Sequence, residues 1–319
     1  MVPTDLILAG AVLFLALAVD RLIGDPHSAF HPVALLGRFI GWWGQPARYS
    51  PRIQRAVGIF FWLVTVCLFA LPFFLFGNYT PRLVFLIGAP FLLKCCFAWR
   101  SLEEHALGVV AALENGVDAG RERVKRMVSR ETAQLDAGHI RSAAYESMAE
   151  NLTDSIVSPL FYFALLSLFG LGLAGAAVFR AANTMDAMLG YRDERARLGW
   201  CSARMDDILN YIPARITTFF LLAYFLTKGT AARAWRVMRR DGKKRPGFNG
   251  GIVMAAMAGG CRIQFEKPGV YTIGDGGEQS LEDGGPAIVR ALRAVTLAFA
   301  AIAAGTLILL AWLIYSTGI

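Results

Sequence analysis

Residues 56–77 read AVGIFFWLVTVCLFALPFFLFG, and residues 295–315 read VTLAFAAIAAGTLILLAWLIY. Neither stretch holds a charged side chain. A helix needs about 20 apolar residues to cross the hydrocarbon core of a bilayer, and both blocks meet that length. Four further blocks, 5–19, 82–99, 156–179 and 212–227, are nearly free of charge and extend the pattern. Composition agrees: of 319 residues 55% are hydrophobic and only 18% charged, with a mean hydropathy of +0.47. Soluble domains of this length rarely carry so little charge. The sequence predicts an all-α, polytopic helical membrane protein with possible re-entrant segments. It is expected to form a single integral membrane domain over 1–319, with polar loops at 20–55, 100–154, 180–207 and 228–294.

No basic region precedes the first apolar block, and Asp20-Arg21 follows it without a small-residue cleavage site, so the block is expected to be a retained span. The net charge is +8. In a membrane protein such an excess reads as cytoplasmic loops held against anionic lipid. No run interleaves aromatic and basic residues as a nucleic-acid groove does, and no nucleic-acid partner is expected. The cysteines (67, 95, 96, 201, 261) and histidines (27, 31, 105, 139) lack zinc-ligand spacing, which argues against a zinc site or a disulfide framework.

Charge also sorts the loops. Residues 20–55, 100–154 and 228–294 are rich in Lys and Arg, and eight of these fall within 228–245. The turn 78–81 (Asn-Tyr-Thr-Pro) has none. The positive-inside rule puts the basic loops in the cytoplasm and the turn outside. The loop 180–207 has five arginines and belongs inside as well. That requires 156–179 to return to its own side, as a hairpin broken at Gly170-Leu171-Gly172. Irregular backbone at membrane depth is tolerated where protein buries it. Residues 100–150 read as soluble helix with a break at Gly116 and Gly120, and the Gly-rich stretch 246–294 reads as an irregular folded loop.

The polar residues come in four groups beside the apolar blocks. The first is Asp20-Arg21-Leu-Ile-Gly24-Asp25-Pro26, followed by His31-Pro32-Val33 and Gly37-Arg38. The second is Glu146-Ser-Met-Ala-Glu150-Asn151-Leu-Thr-Asp154. Its three carboxylates are spaced i, i+4, i+8 and share one helix face. Stacked without intervening cations they repel one another, and a divalent cation is the expected compensation; Mg2+ takes a few carboxylates plus phosphate oxygens. The third group is Asn183-Thr-Met-Asp186, with Gly190-Tyr191-Arg192 after it. The fourth is Ser202-Ala-Arg204-Met-Asp206-Asp207-Ile-Leu-Asn210-Tyr211-Ile-Pro213-Ala-Arg215. Read blandly, these groups are solvated helix faces, caps and local ion pairs. Read functionally, carboxylates mixed with Arg38, Arg204 and Arg215 suggest a metal–phosphate site, the acids holding Mg2+ and the guanidinium forks holding phosphate oxygens. There is no Walker A motif, because Gly242-Lys243 is followed by Lys244 and lacks the upstream glycine.

These motifs in this order resemble the CobD/CbiB family, the adenosylcobinamide-phosphate synthases of cobalamin biosynthesis. The matching stretches are DRLIGDP with HPV, ESMAENLTDSIVSPLFYF, ANTMDAMLGY and SARMDDILNYIPAR, with a weaker continuation through AAMAGG and Ile273-Gly274-Asp275. The resemblance runs from residue 20 to about 290. The sequence departs from the family pattern at Leu152 and Met254, and at Gly247-Phe248-Asn249, where only Asn249 is kept.

The resemblance implies an ATP-dependent ligase of a bacterial inner membrane. Its reaction joins the free propionate of adenosylcobyric acid to (R)-1-amino-2-propanol or its O-phosphate. It implies ATP and Mg2+ as cofactors, the adenosylated corrinoid as substrate, and other cobalamin-pathway enzymes as possible partners. On this reading Glu146, Glu150, Asp154, Asp186 and His31 are the catalytic candidates, with His31 or an aspartate as general base. Asp25, Arg38, Asn151, Asn183, Arg204, Asn210 and Arg215 bind cofactor and substrate. Glu146, Glu150, Asp154, Asp206 and Asp207 hold the metal. Two other readings compete. An AmpE-like membrane regulator would lack the acidic motifs, and an ion-coupled transporter would show mid-span charges and an inverted repeat.

Overall fold

The structure is a computed structural model that describes residues 3–25, 31–128, 130–276 and 280–317. Among these, the helices in chain order are α1 (Pro3–Leu22), α2 (Pro32–Trp43), α3 (Gln54–Tyr79), α4 (Arg82–Lys94), α5 (Trp99–Leu113), α6 (Val117–Val124), α7 (Ala137–Asn151), α8 (Ser158–Ser167), α9 (Gly172–Leu189), α10 (Trp200–Leu209), α11 (Tyr211–Thr227), α12 (Ala231–Asp241), α13 (Gly250–Cys261) and α14 (Ser280–Thr317). A π-helical stretch, Leu152–Val157, follows α7 directly. The strands β1 (Gln264–Lys267) and β2 (Tyr271–Gly274) form one antiparallel hairpin, with Gln264 opposite Gly274 and Lys267 opposite Tyr271.

The protein is helical and membrane-spanning. Three segments among the described residues are long and apolar enough to cross a bilayer: Gln54–Tyr79, Arg82–Leu113 and Leu281–Thr317. A fourth is counted if Trp200–Leu209 and Tyr211–Thr227 act as one span interrupted at Asn210. At about 1.5 Å per residue, the 26 residues of α3 exceed the roughly 30 Å hydrocarbon core. Its Phe60, Leu63, Leu68 and Leu71 are exposed, a long apolar face suited to lipid and costly in water. The second segment runs past the expected boundary at residue 99, because the break at Cys95–Ala98 is short and helix resumes in α5.

The chain sorts into two compact units. The first comprises 1–98, 158–210 and 300–319, and the second 99–157 and 211–299. In the first unit, α9 is the central helix, packed against α2, α3, α8 and α10. Leu36, Ile40, Trp43, Trp62, Ala181, Met185 and Leu198 build its core. Trp43 stacks on Phe61 with ring centroids 5.3 Å apart. The approach is close at Gly58, where a Cβ would lie 2.0 Å from the Leu198 carbonyl oxygen. Small residues at such contacts let membrane helices approach backbone to backbone.

Helices α8 and α9 form the hairpin expected from Gly170-Leu171-Gly172. The chain reverses through Gly170 at φ +75°, a left-handed conformation that glycine adopts without penalty. Two contacts show that both arms return to one end. Ser158, at the start of α8, donates to Asn210 Oδ1 at 2.7 Å, and Asn183, late in α9, donates to Asp206 Oδ1 at 3.1 Å.

In the second unit, α5, α6 and α7 enclose Val109, Val124, Leu135, Ile140, Ala143 and Ala144. Gly120, also expected at a break, lies inside α6, but the break between α5 and α6 does fall at Gly116, φ +112°, as the sequence suggested. The Gly-rich segment does not. Instead of an irregular loop it forms the buried helix α13, the β-hairpin and the start of α14. Its glycines are contact points. A Cβ on Gly259 would come within 2.9 Å of Ala234 and Val237 in α12, and one on Gly260 within 2.2 Å of the Phe225 ring in α11.

Candidate active site

Helix α7 carries the acidic stripe. Asp136 caps its N-terminus by accepting the His139 N–H at 2.8 Å. Ten residues later Glu146 is buried, and its carboxylate is filled by protein donors. Arg130 Nη2 and the Tyr271 hydroxyl each donate to Oε2 at 2.7 Å, and Ser142 Oγ donates to Oε1 at 2.7 Å. Ser142 also accepts the Glu266 N–H at 2.7 Å, so Glu146 fastens the β-hairpin to α7. Burial raises the Glu146 pKa above the usual glutamate range, against the opposing pull of Arg130, Ser142 and Tyr271. Burial and the neighbouring Glu146 likewise push the Tyr271 hydroxyl far up, so it stays a donor.

One turn on, Glu150 accepts from Arg245 Nη2. Burial lowers the Arg245 pKa, but Glu150, Asp154, Tyr271 and Glu146 together hold it above its ordinary value. The stripe therefore has its cations: Arg130 and Arg245 reach it from elsewhere in the sequence. This corrects the expectation of carboxylates stacked without compensation. Asp154 lies in the π-helical stretch, a local widening often found at functional sites. Asn151 is satisfied within the helix, donating to the Ser147 carbonyl at 2.9 Å and accepting from Ser155 at 2.8 Å.

Two further anchors hold the segment that carries Arg245. Asp241 is fully buried at the end of α12. It accepts from Arg240, from Lys244 at 2.7 Å and from the Gly274 N–H at 2.9 Å. Burial alone would raise its pKa, but these donors hold it well below the usual carboxylate range. Arg215 Nη1 donates to Asn249 Oδ1 at 2.7 Å, its guanidinium lying 3.6 Å from the Tyr211 ring centre.

The other predicted residues lie in the first unit, where two polar clusters form. In one, Asp206 accepts from Asn183 at 3.1 Å and from Asn210 at 3.0 Å. In the other, Lys94 is buried between Asp20 at 3.0 Å and Asp25 at 2.5 Å. His31 caps α2: its Nδ1 accepts the Val33 N–H at 3.2 Å, which assigns the remaining proton to Nε2. Burial lowers the His31 pKa; Asp25 opposes this, while Lys94 and Arg180 reinforce it. A neutral imidazole with Nδ1 engaged and a proton on Nε2 has no free lone pair, so in this arrangement His31 is a donor and not the expected base. Asp186 and Asp207 are half-buried, and Arg38 and Arg204 are exposed.

Within neither unit do the expected metal ligands gather into a cage. Among the described residues no three Asp, Glu, His or Cys side chains are disposed to hold one ion. Glu146 has three donors on its carboxylate, and Glu150 is engaged by a guanidinium. As arranged, the stripe fits arginine and does not fit Mg2+.

Sequence reasoning missed Lys94, Arg130, Arg180, Asp241, Arg245 and Tyr271. Lys94 carried a usable signal, as a lysine inside the apolar block 82–99. An ionisable residue there marks a partnered interior position.

Residues 13–314 match the family described as CobD/Cbib protein. The chain is 40% identical to the "Probable cobalamin biosynthesis protein CobD" of Methanothermobacter thermautotrophicus, over 83% of this chain and 86% of that one. It is 41% identical to the protein of that description from Thermococcus kodakarensis, over 88% of each chain. It is also 35% identical to the "Cobalamin biosynthesis protein CobD" of Dehalococcoides mccartyi, over 83% of this chain and 86% of the relative. No solved structure matches the chain. With a match that spans nearly its whole length, this chain belongs to the CobD/CbiB family.

Proposed function

We propose that this protein is a cobalamin-biosynthesis enzyme that forms an amide between the free propionate of adenosylcobyric acid and (R)-1-amino-2-propanol or its O-phosphate, using ATP. The family match over 13–314 carries the reading. The ionic groups gathered around α7 support it, since a charged substrate needs fixed charges to meet it.

A carboxylate and an amine do not condense unaided. ATP supplies activation by transferring its γ-phosphoryl group to the propionate, giving an acyl phosphate and ADP. The amine then attacks the acyl carbon, phosphate leaves, and the amine nitrogen loses a proton. Arg245, Arg130 and Arg215 are the protein's cations for the phosphoryl oxygens, and preorganised charge of this kind is usually the largest catalytic contribution. Glu150 and Asp154, both partly exposed, are the candidates for receiving the amine's proton. The Mg2+ that the family implies has no ready-made protein cage among the described residues. The motif loops are proposed to face the cytoplasm from a bacterial inner membrane.

The test is to incubate the detergent-solubilised full chain with adenosylcobyric acid, ATP, Mg2+ and aminopropanol phosphate, and to detect the amide by mass spectrometry. Product that depends on both ATP and the amine is expected. A bound corrinoid that is never converted, with either form of the amine, refutes the ligase reading.

A further inference from the structure

Among the described residues of the first unit, four buried side-chain N–H groups have no acceptor: the Trp43 and Trp62 indoles and two on titratable side chains. Of the latter two, one is Nε of Arg180, in the middle of α9, and the other is Nε2 of His31, at the start of α2. Both are shielded from solvent, and neither finds a hydrogen-bond partner among the described residues. Their helices pack against each other, Leu36 and Ile40 of α2 sharing one core with Ala181 and Ala182 of α9, and the Arg180 charge acts on His31. A buried donor left unpaired is costly, so two on neighbouring helices call for an explanation.

The chemistry of the missing partner follows from what each group can do. Arginine only donates. His31 is confined to donating because its Nδ1 is occupied by the Val33 N–H. The remaining cation, Lys94, is already held by Asp20, Asp25 and the Phe97 carbonyl. Lys94 and Arg180 balance Asp20 and Asp25 in charge, so the neighbourhood carries no standing excess that would repel an anion. Asp25 does not serve as the acceptor: its Oδ1 stands 3.8 Å from His31 Nε2, beyond hydrogen-bond reach. Asp25 and His31 are partly exposed, so the place is not sealed.

We propose that Arg180 and His31 are the donor pair of an oxyanion subsite, one that takes a phosphate monoester or a carboxylate of a small substrate. The identity of that substrate rests on the ligase reading; the subsite does not. Arg180 supplies a charged donor through Nε, and His31 supplies a neutral one through Nε2.

Titration of the detergent-solubilised full chain with inorganic phosphate and, separately, with propionate tests the proposal by calorimetry, without turnover. Saturable binding of one probe is expected, weakened at least tenfold in Arg180→Gln and in His31→Asn, which keeps a helix-capping side chain. If Arg180→Gln fails to fold, Arg180→Lys retains the charge, loses the Nε donor and is expected to weaken binding at least tenfold. Phosphate binding without propionate binding assigns the subsite to a phosphate ester, and the converse to a carboxylate. Binding of neither probe, or binding unchanged in the folded variants, overturns the proposal. Anion binding in a protein that makes no amide upholds the subsite and removes the ligase reading alone.

Discussion

Arg245 donates to Glu150 across 95 residues of sequence, which ties the loop after α12 to the acidic face of α7. The pair is only partly buried, and its members differ in accessibility to a substrate: Glu150 lies open where Glu146 is closed.

Glu150→Gln is therefore expected to lower amide formation more than 100-fold. Membrane insertion should be retained, and stability should fall by about 1–2 kcal/mol from the loss of a charge-assisted hydrogen bond. The assay is product formation alongside thermal unfolding in detergent. Turnover within a few fold of wild type would remove Glu150 from the reaction.

Glu146 and Asp241 are expected to shape acid stability in opposite directions. The Asp241 pKa is depressed on folding. Its stabilisation is complete above the unfolded aspartate value, about 3.9, and is lost as pH falls through the lower folded value. The Glu146 pKa is raised. Its contribution is most favourable below the unfolded glutamate value, about 4.3, and is lost as pH rises through the folded value. Melting curves across pH should show Asp241→Asn losing about 3–5 kcal/mol at pH 7, because Arg240 and Lys244 lose their countercharge and one accepting oxygen is replaced by an NH2 donor. Glu146→Gln should flatten the decline above pH ~4.3. Curves for the variants that run parallel to wild type at every pH would refute the assignment.

Lys94 is the cation between two carboxylates, one of them fully buried. Lys94→Met leaves Asp20 and Asp25 facing each other and should destabilise the first unit by about 3–5 kcal/mol. Adding Asp20→Asn should restore part of the loss, because the repulsion then disappears. Thermal unfolding of the single and double variants measures this coupling, and strict additivity would contradict it.

The sidedness inferred from loop charge predicts a labelling pattern. In a cysteine-free background, Tyr79→Cys should react with an impermeant maleimide in intact cells. Arg239→Cys should react only after permeabilisation. Both side chains are exposed, so access is limited by the membrane alone. The reverse pattern would invert the topology.

The apolar blocks 56–77, 82–99 and 295–315 were legible as spans because each is a local, continuous signal, and so was the reversal at Gly170, which needs only a glycine pair and a charge argument. The acidic stripe was legible as a face but misread in its energetics. Its cations, Arg130 and Arg245, come from distant parts of the chain, and helical spacing reports only near neighbours. Residues 250–261 were misread for a different reason. Glycine marks a turn when φ is positive and a helix contact when a neighbour crowds its Cα, and composition alone does not separate the two. Arg180 was counted as one more basic loop residue because its position beside α2 and α4 exists only in three dimensions.

The hairpin of α8 and α9 has a consequence for counting. A segment that turns back on itself adds either no passages or two, never one. The parity of crossings between Ser158 and Asn183 is therefore even at any depth of the tip. Ser158 and Asn183, near the two ends of the hairpin, are therefore reached together from one end of the first unit.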